Sequence, residues 1–371
     1  MNILITGASG FIGSFLCEEA HKRHYNVFAG MREKSSRKWL QGEWLNFVTL
    51  DLSDTAKLAD QLERYKQKYG KWDVIVHAGG ATKCLHKEDF KKHNFECTRN
   101  FVETLISQDM FPEHFIYVSS LSVQGAIREE MVEPHPLDIM EGIERNEDFI
   151  DKYTVKQSVY EPILGSDTPQ PNTAYGESKV LSEQYLAQKK VDMDAEGRQF
   201  NYTIFRPTGV YGPREKDYFV MAQSIKQHSD FAVGYKPQEI TFIYVRDLVD
   251  AILASIDKPV SYGKTYSVAD GFVYNSRAFS DLLQKELGTR FVLHIKAPIW
   301  FLKIVCAVSE SISKITGKPG TLNNDKFMIL KQRNWQCDIT PLKEDLGFIP
   351  QWNLERGVKE TIAWYKDNKW L

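Results

Sequence analysis

Paired cysteines, a basic excess and a membrane-length apolar run are all missing from this chain. Its five cysteines (17, 84, 97, 306 and 337) are odd in number, scattered and without a CxxC pair. That argues against a disulfide framework or a zinc site and for free thiols in a reducing compartment. A net charge of −2 lacks the positive excess that a nucleic-acid binder usually carries. The opening "MNILITGASG" has neither a basic n-region nor a small-residue cleavage site, so no secretion signal is read there and the expected address is the cytoplasm. The longest apolar stretch, "APIWFLKIVCAVSESI" from Ala297, is broken by Lys303 and falls short of the roughly 20 residues of a bilayer span. It reads as a buried or interface helix, with contact to a membrane surface as the alternative. Internal repeats and low-complexity segments are absent as well.

What is there is enough apolar material, 42% of 371 residues, for a sizeable core in one large or two interlocked domains. The first third alternates strand-like runs, "NILIT" (2–6), "NVFAG" (26–30), "NFVTL" (46–50), "DVIVHA" (73–78) and "HFIYVSS" (114–120), with helix-length segments at 11–24, 54–68 and 86–108. Strands separated by helices predict a parallel sheet with helices on both faces. Continuous apolar runs such as "VIV" suit strands buried on both sides. Further strands are expected at 202–206 and 240–245, the latter completing the sheet. The last 110 residues read as helices with short strands. From Glu129 to Gln170 an irregular stretch carries eleven acidic residues against three basic ones; a loop of that length reads as a solvated surface insertion or as a lid.

"ITGASGFIG" sets Gly7, Gly10 and Gly13 directly after the first strand and at the opening of a helix. The first glycine permits a tight turn, the second lets backbone approach a pyrophosphate, and the third permits close helix–strand packing. The free N–H groups and positive end of that helix then hold phosphates, with Ser9, Phe11 and Ile12 in the turn. At the end of the second strand a carboxylate would favour a ribose 2′-hydroxyl, and an arginine a 2′-phosphate. Here "FAGMREKSSRK" has Met31 at the acid's place and Arg32 beside it, with Lys34, Ser35 and Arg37 as further phosphate ligands. NADP(H) is therefore expected over NAD(H), with no metal.

The GxxGxxG spacing resembles the short-chain dehydrogenase/reductase superfamily, and the chain's length points to its extended branch, the NAD-dependent epimerase/dehydratase family. "LDLSD", "HAGGATK", "VSSLSVQG", "AYGESK" and "RPTGVYGPR" follow in the family's order. The resemblance implies a Rossmann-type doubly wound α/β sheet built from residues 1–205 and about 240–260. A smaller, mostly C-terminal α+β substrate-binding part would come from 206–239 and 261–371. It implies that Asp51 and Leu52 flank adenine, that Ala78 and Gly79 line the cofactor groove, and that Pro207 and Val210 run past the nicotinamide. It makes Tyr175 the acid/base, Lys179 its partner and a ribose ligand, Ser120 the substrate-orienting hydroxyl and Asn94 the matching asparagine. Ser122, Tyr211 and Arg214 are candidates for facing substrate, the last two equally for a structural role. A homodimer through the helices at 86–108 and 175–190 is implied in the same way.

Tyr175 and Lys179 stand one helical turn apart on one face. A tyrosine titrates near pH 10, so reaching about 7 needs roughly 4 kcal/mol of differential stabilisation. The Lys179 ammonium and a positive nicotinamide are expected to supply it. Family dehydratases carry Asp–Glu after the serine, where this chain has Leu121–Ser122, which disfavours sugar dehydration. Nucleotide-sugar epimerases commonly carry Asn where this chain has Gly209. The arginine–proline start of "RPTGVYGPR" and the C-terminal stretch resemble the reductases and 3β-hydroxysteroid-dehydrogenase-like members. The leading reading is thus an alcohol/ketone oxidoreductase. A sugar or nucleotide-sugar epimerase and a nucleotide-sensing regulator without turnover remain open.

Overall fold

A computed structural model describes residues 1–137, 147–316 and 323–371, the side chains of 313–316 excepted. Its centre is a seven-stranded, all-parallel sheet. The strands in chain order are β1 (Asn2–Thr6), β2 (Asn26–Met31), β3 (Asn46–Thr49), β4 (Val74–His77), β5 (His114–Val118), β6 (Tyr202–Pro207) and β7 (Thr265–Val268). In space they run β3–β2–β1–β4–β5–β6–β7, so the order reverses between β1 and β4 and opens a crevice at the strands' carboxyl ends.

Side-chain alternation explains why this sheet needs cover on both faces. Ile3, Ile5, Val74, Val76, Ile116 and Val118 join one apolar cluster, while Leu4, Ile75, Phe115 and Tyr117 join the other. The first face receives α1 (Phe11–Lys22) and α5 (Val245–Ala254), which pack on each other. The second receives α2 (Thr55–Tyr69), α3 and α4 (Ala174–Ala195). Helix α3 is continuous but built from three pieces: Lys87–Phe90, a π-helical turn Lys91–Glu96, and Cys97–Ser107.

The seventh strand corrects the sequence reading. "ITFIYV" has the apolar density of a central strand, yet Phe242–Tyr244 pairs with Gly209–Tyr211 in a separate parallel ribbon. The sheet is completed instead by Thr265–Val268 beside β6. "TYSV" is short and half polar, which hides an edge strand from pattern reading.

The acidic insertion is a second correction, for its described residues; 138–146 lie outside them. Its acidic side chains are mostly exposed, as with Glu130, Glu133, Glu147 and Asp148, but the segment is not structureless. Helix Glu147–Tyr153 buries Phe149 and Tyr153 in the C-terminal apolar cluster. Tyr160, Ile163 and Ser158 are fully buried, and the Glu239 carboxylate accepts from the Ser158 hydroxyl at 2.5 Å and the Val159 N–H at 2.9 Å. Asn334 donates to the carbonyls of Arg128 and Glu161 at 3.0 and 2.9 Å. The segment is therefore a built layer of the smaller part, whose core also holds α8 (Leu354–Asp367).

Candidate active site

The turn after β1 is shaped by the absence of side chains. Gly7 takes φ +67°, and a Cβ there would lie 2.7 Å from the Cα of Gly79. A Cβ on Gly13 would collide with the Gly7 carbonyl. Gly10 caps α1, accepts from the Ser14 N–H at 3.1 Å and offers no side-chain cap. No acid stands in the first turn and no side chain caps it, which leaves the helix's positive end and its first N–H groups to an anionic ligand. This cradle suits a dinucleotide pyrophosphate. Ser9 flanks it, half-buried.

Contact runs from this turn into the chemistry. Thr6 bonds His77 Nδ1 at 2.6 Å, and His77 Nε2 meets Thr98 at 3.0 Å. Burial and the nearby Lys179 charge push the His77 imidazole down to about 3, so it serves as a neutral brace. Next to Gly79, a Cβ on Gly80 would lie 2.9 Å from Asn94 Oδ1 and 3.6 Å from Lys179 Nζ. Asn94 sits in the π-turn of α3, 1% exposed. Its Oδ1 accepts from the Ala81 N–H at 2.7 Å, and its Nδ2 donates to the Ala81 carbonyl at 3.1 Å and the Ser178 hydroxyl at 2.9 Å. A π-turn often marks a functional position. Here it delivers one amide that ties the loop after β4 to the helix bearing Tyr175 and Lys179.

That helix, α4, starts at Thr173, whose hydroxyl accepts from the Gly176 N–H at 3.0 Å. Tyr175 follows in its first turn, with its ring edge toward Phe90 at 6.1 Å. Burial pushes the Tyr175 phenol up to about 12, and a hydrogen bond with Ser120 works in the opposite direction. Ser120, at the end of β5, bonds Ser122 Oγ at 3.1 Å and accepts from the Ser122 N–H at 3.2 Å. Lys179 donates to the Val118 carbonyl at 2.8 Å, 6.0 Å from the centre of the Tyr175 ring. Burial draws the Lys179 ammonium down to about 8, against the pull of Glu183. Burial of the phenol thus sets the direction of its shift, while the expected lowering by Lys179 and a positive nicotinamide together concerns the cofactor-bound enzyme.

Two of the candidate substrate residues stand elsewhere. Tyr211 is 0% exposed, with its hydroxyl on the Asn353 carbonyl at 3.3 Å and aromatic rings around it. Arg214 bonds Ser14 at 2.9 Å and Glu18 at 2.6 Å and lies over the Phe15 ring, clamping α1. Pattern reading picked both from the loop motif, but the loop turns their side chains into packing. Pro207 ends β6 fully buried, and Val210 is half-buried opposite Ile243. Asp51 accepts from Ser53 Oγ at 2.6 Å beside the Lys57 ammonium at 3.8 Å, and the Leu52 carbonyl accepts from Asn100. Arg32 is exposed and makes no ion pair among the described residues, whereas Arg37 stacks on the Phe47 ring at 4.1 Å. Among the described residues no group of three His, Cys, Asp or Glu side chains could hold a metal ion.

Four residues around the site escaped the sequence reading of its roles. Glu183 and Arg206 form a buried pair at 2.6 Å beneath Lys179, with Ser119 donating to the carboxylate at 2.5 Å. Asp325 accepts from the Tyr175 N–H at 3.2 Å from a C-terminal helix, α7 (Asn324–Lys331). The i+8 spacing from Tyr175 could have exposed Glu183; nothing in the local sequence points to Asp325.

A doubly wound sheet, a side-chain-free phosphate turn and a Ser–Tyr–Lys cluster beside it define a dinucleotide-dependent enzyme of the short-chain dehydrogenase/reductase kind. The family model described as "NAD dependent epimerase/dehydratase family" matches residues 3–269, and the chain belongs to that family. The proteins it resembles include both epimerases and decarboxylating dehydrogenases. A UDP-glucose 4-epimerase of Vibrio cholerae is 23% identical, over 97% of this chain and 94% of that one. A decarboxylating sterol-4-alpha-carboxylate 3-dehydrogenase of Candida albicans is also 23% identical, over 99% and 98%. Among solved structures, the UDP-glucose 4-epimerase of Thermotoga maritima with UDP-glucose superposes with a TM-score of 0.71 at 20% identity, covering all of both chains. At that identity the match speaks for the fold.

Proposed function

We propose that this enzyme is an NADP(H)-dependent oxidoreductase acting on an alcohol/ketone pair, with Tyr175 as its acid/base. The observation that carries the reading is the convergence of the Tyr175 phenol and the Ser120 hydroxyl at the strand ends, with Lys179 beside Gly80. Bound in the crevice, the dinucleotide supplies a carbon that exchanges hydride with the substrate. The chain's own residues manage the oxygen. Ser120 donates a hydrogen bond to a ketone oxygen, and Tyr175, held protonated by burial, delivers its proton there as the alcohol forms. Lys179 places positive charge below and is available to the ribose hydroxyls.

A nucleotide-sugar epimerase is the second reading, favoured by the relatives' names. Against it stands Gly209 at the place where many such epimerases carry asparagine, with the Tyr218 hydroxyl occupying the space a Cβ would take. The NADP(H) preference rests on buried Met31 at the acid's position and on exposed Arg32 without an ion pair. We also read helices α3 and α4 as the dimer face of the family.

The decisive experiment follows NADPH absorbance during turnover of carbonyl substrates. An oxidoreductase consumes one NADPH per product; interconversion of a sugar nucleotide without net NADPH loss overturns the reading. Arg32→Asp should weaken NADPH binding at least tenfold and leave NADH binding within a few-fold. An unchanged NADPH dissociation constant would remove the cofactor assignment.

A further inference from the structure

Helix α6 (Ile299–Thr316) carries its apolar residues on the wrong side for a soluble helix. Its inner face buries Leu302 and Cys306 against Phe327 of α7. Its outer face repeats every fourth residue as Trp300, Ile304, Val308 and Ile312, which are 66, 53, 54 and 55% exposed. The helix leaves the strand Leu293–Ala297 through Pro298. That strand pairs in parallel with Ser229–Val233, setting Phe231 opposite Ile295, and both are exposed. Of nineteen exposed large apolar side chains among the described residues, eleven fall within 231–235 and 291–312. A patch this concentrated on a folded protein marks an interaction surface.

The charges around it choose the occupant. No acidic residue occurs between Glu286 and Glu310, while Arg290, Lys296 and Lys303 are all exposed. Lys236 adds a further exposed cation next to Tyr235, whose ring lies 5.4 Å from the Lys296 ammonium. The chain as a whole is net negative, so the local excess here runs against the overall composition. A second copy docking by the same face would set cation against cation. An anionic lipid surface satisfies both features, since apolar side chains enter the acyl boundary while lysines meet headgroups. Trp300 and the neighbouring aromatic rings are the residue types that settle at such an interface. No described helix is long and apolar enough to cross a membrane, so the geometry is that of lying on the surface.

We propose that the outer face of α6 and the adjoining strand pair dock this enzyme onto anionic membranes. The attachment lies next to the chemistry: α6 packs on α7, and α7 supplies Asp325 to the Tyr175 N–H. Docking would therefore hold the catalytic helix close to the lipid boundary. The proposal stands or falls independently of the catalytic reading, because its readout is binding.

The test is cosedimentation of the full chain with vesicles of phosphatidylcholine alone or mixed with phosphatidylglycerol. Wild type should pellet with the mixed vesicles, at least tenfold more than with the neutral ones, and less at high salt. Trp300→Glu with Ile304→Glu should lower binding at least tenfold. Lys296→Glu with Lys303→Glu, both at exposed side chains and checked for an unchanged melting temperature, should do the same. Three results would overturn the idea: no vesicle binding by wild type, equal binding to both vesicles, or binding unaffected by either pair. Dimerisation that the first pair abolishes, without vesicle binding, would instead assign the face to a second copy.

Discussion

At the residue scale the site is governed by dehydration. Tyr175 is pushed up to about 12 and Lys179 down to about 8, burial being the larger cause in each. The two shifts give the pH dependence a definite sign. Below about pH 8 Lys179 is charged and Tyr175 protonated, which is the state that donates a proton to a ketone. Ketone reduction should therefore plateau at neutral pH and fall above about 8 as the ammonium is lost, well before the phenol ionises. Tyr175→Phe keeps the ring and removes the transferable proton, so turnover should drop by about 10²–10⁴-fold, the usual contribution of a placed general acid. Its NADPH affinity should stay within a few-fold. A variant within tenfold of wild-type turnover would show that another group moves the proton.

At the element scale one face of α4 carries the proposed acid/base Tyr175, with Lys179 and Glu183 at i+4 and i+8. Glu183 and Arg206 are each 7% exposed in side chain and pair across α4 and β6, and Glu183 raises the Lys179 ammonium against burial. Replacing its charge by Glu183→Gln should move the alkaline fall of activity to lower pH, while Glu183→Asp should leave the fall near its original place. The Gln variant also strands a buried guanidinium, which typically costs about 3–5 kcal/mol, so its melting temperature should drop. An unmoved pH midpoint in a folded Gln variant would sever this carboxylate from Lys179. The elements themselves were unevenly legible. Strands β1, β2, β4 and β5 stood out because each is a largely buried apolar run, whereas β3 lies at the sheet edge with only Val48 buried. Thr265–Val268 did not, since Ser267 and an edge position weaken its pattern. The acidic count of the insertion suggested solvent, yet its few apolar residues, Phe149, Tyr153, Tyr160 and Ile163, decide where it packs.

At the scale of the whole molecule, the motifs pointed to residues that the fold brings together at the strand ends, and the C-terminal contribution was invisible because it comes from distant, motif-free segments. Asp217 shows how the parts are joined. Its carboxylate meets Lys83, from the loop after β4, and Lys326 of α7 at 3.2 Å. Burial raises the Asp217 carboxyl, but the two ammoniums overcome that and hold it below its usual value. One turn-opening carboxylate thus fastens the cofactor-side loop to the helix that reaches Tyr175. All three side chains are 31–40% exposed, and pairs of that kind contribute only about 0–1 kcal/mol each to stability. Asp217→Asn should accordingly shift melting little. It should still loosen the closure between the two parts, raising KM for the carbonyl substrate several-fold with kcat within about twofold. Salt should imitate the substitution in wild type and have less effect on the variant, because the fastening is screened charge. If KM is unaltered at low ionic strength, the two parts are held together without this junction, and the apolar packing of the C-terminal helices alone must set the geometry of the cleft.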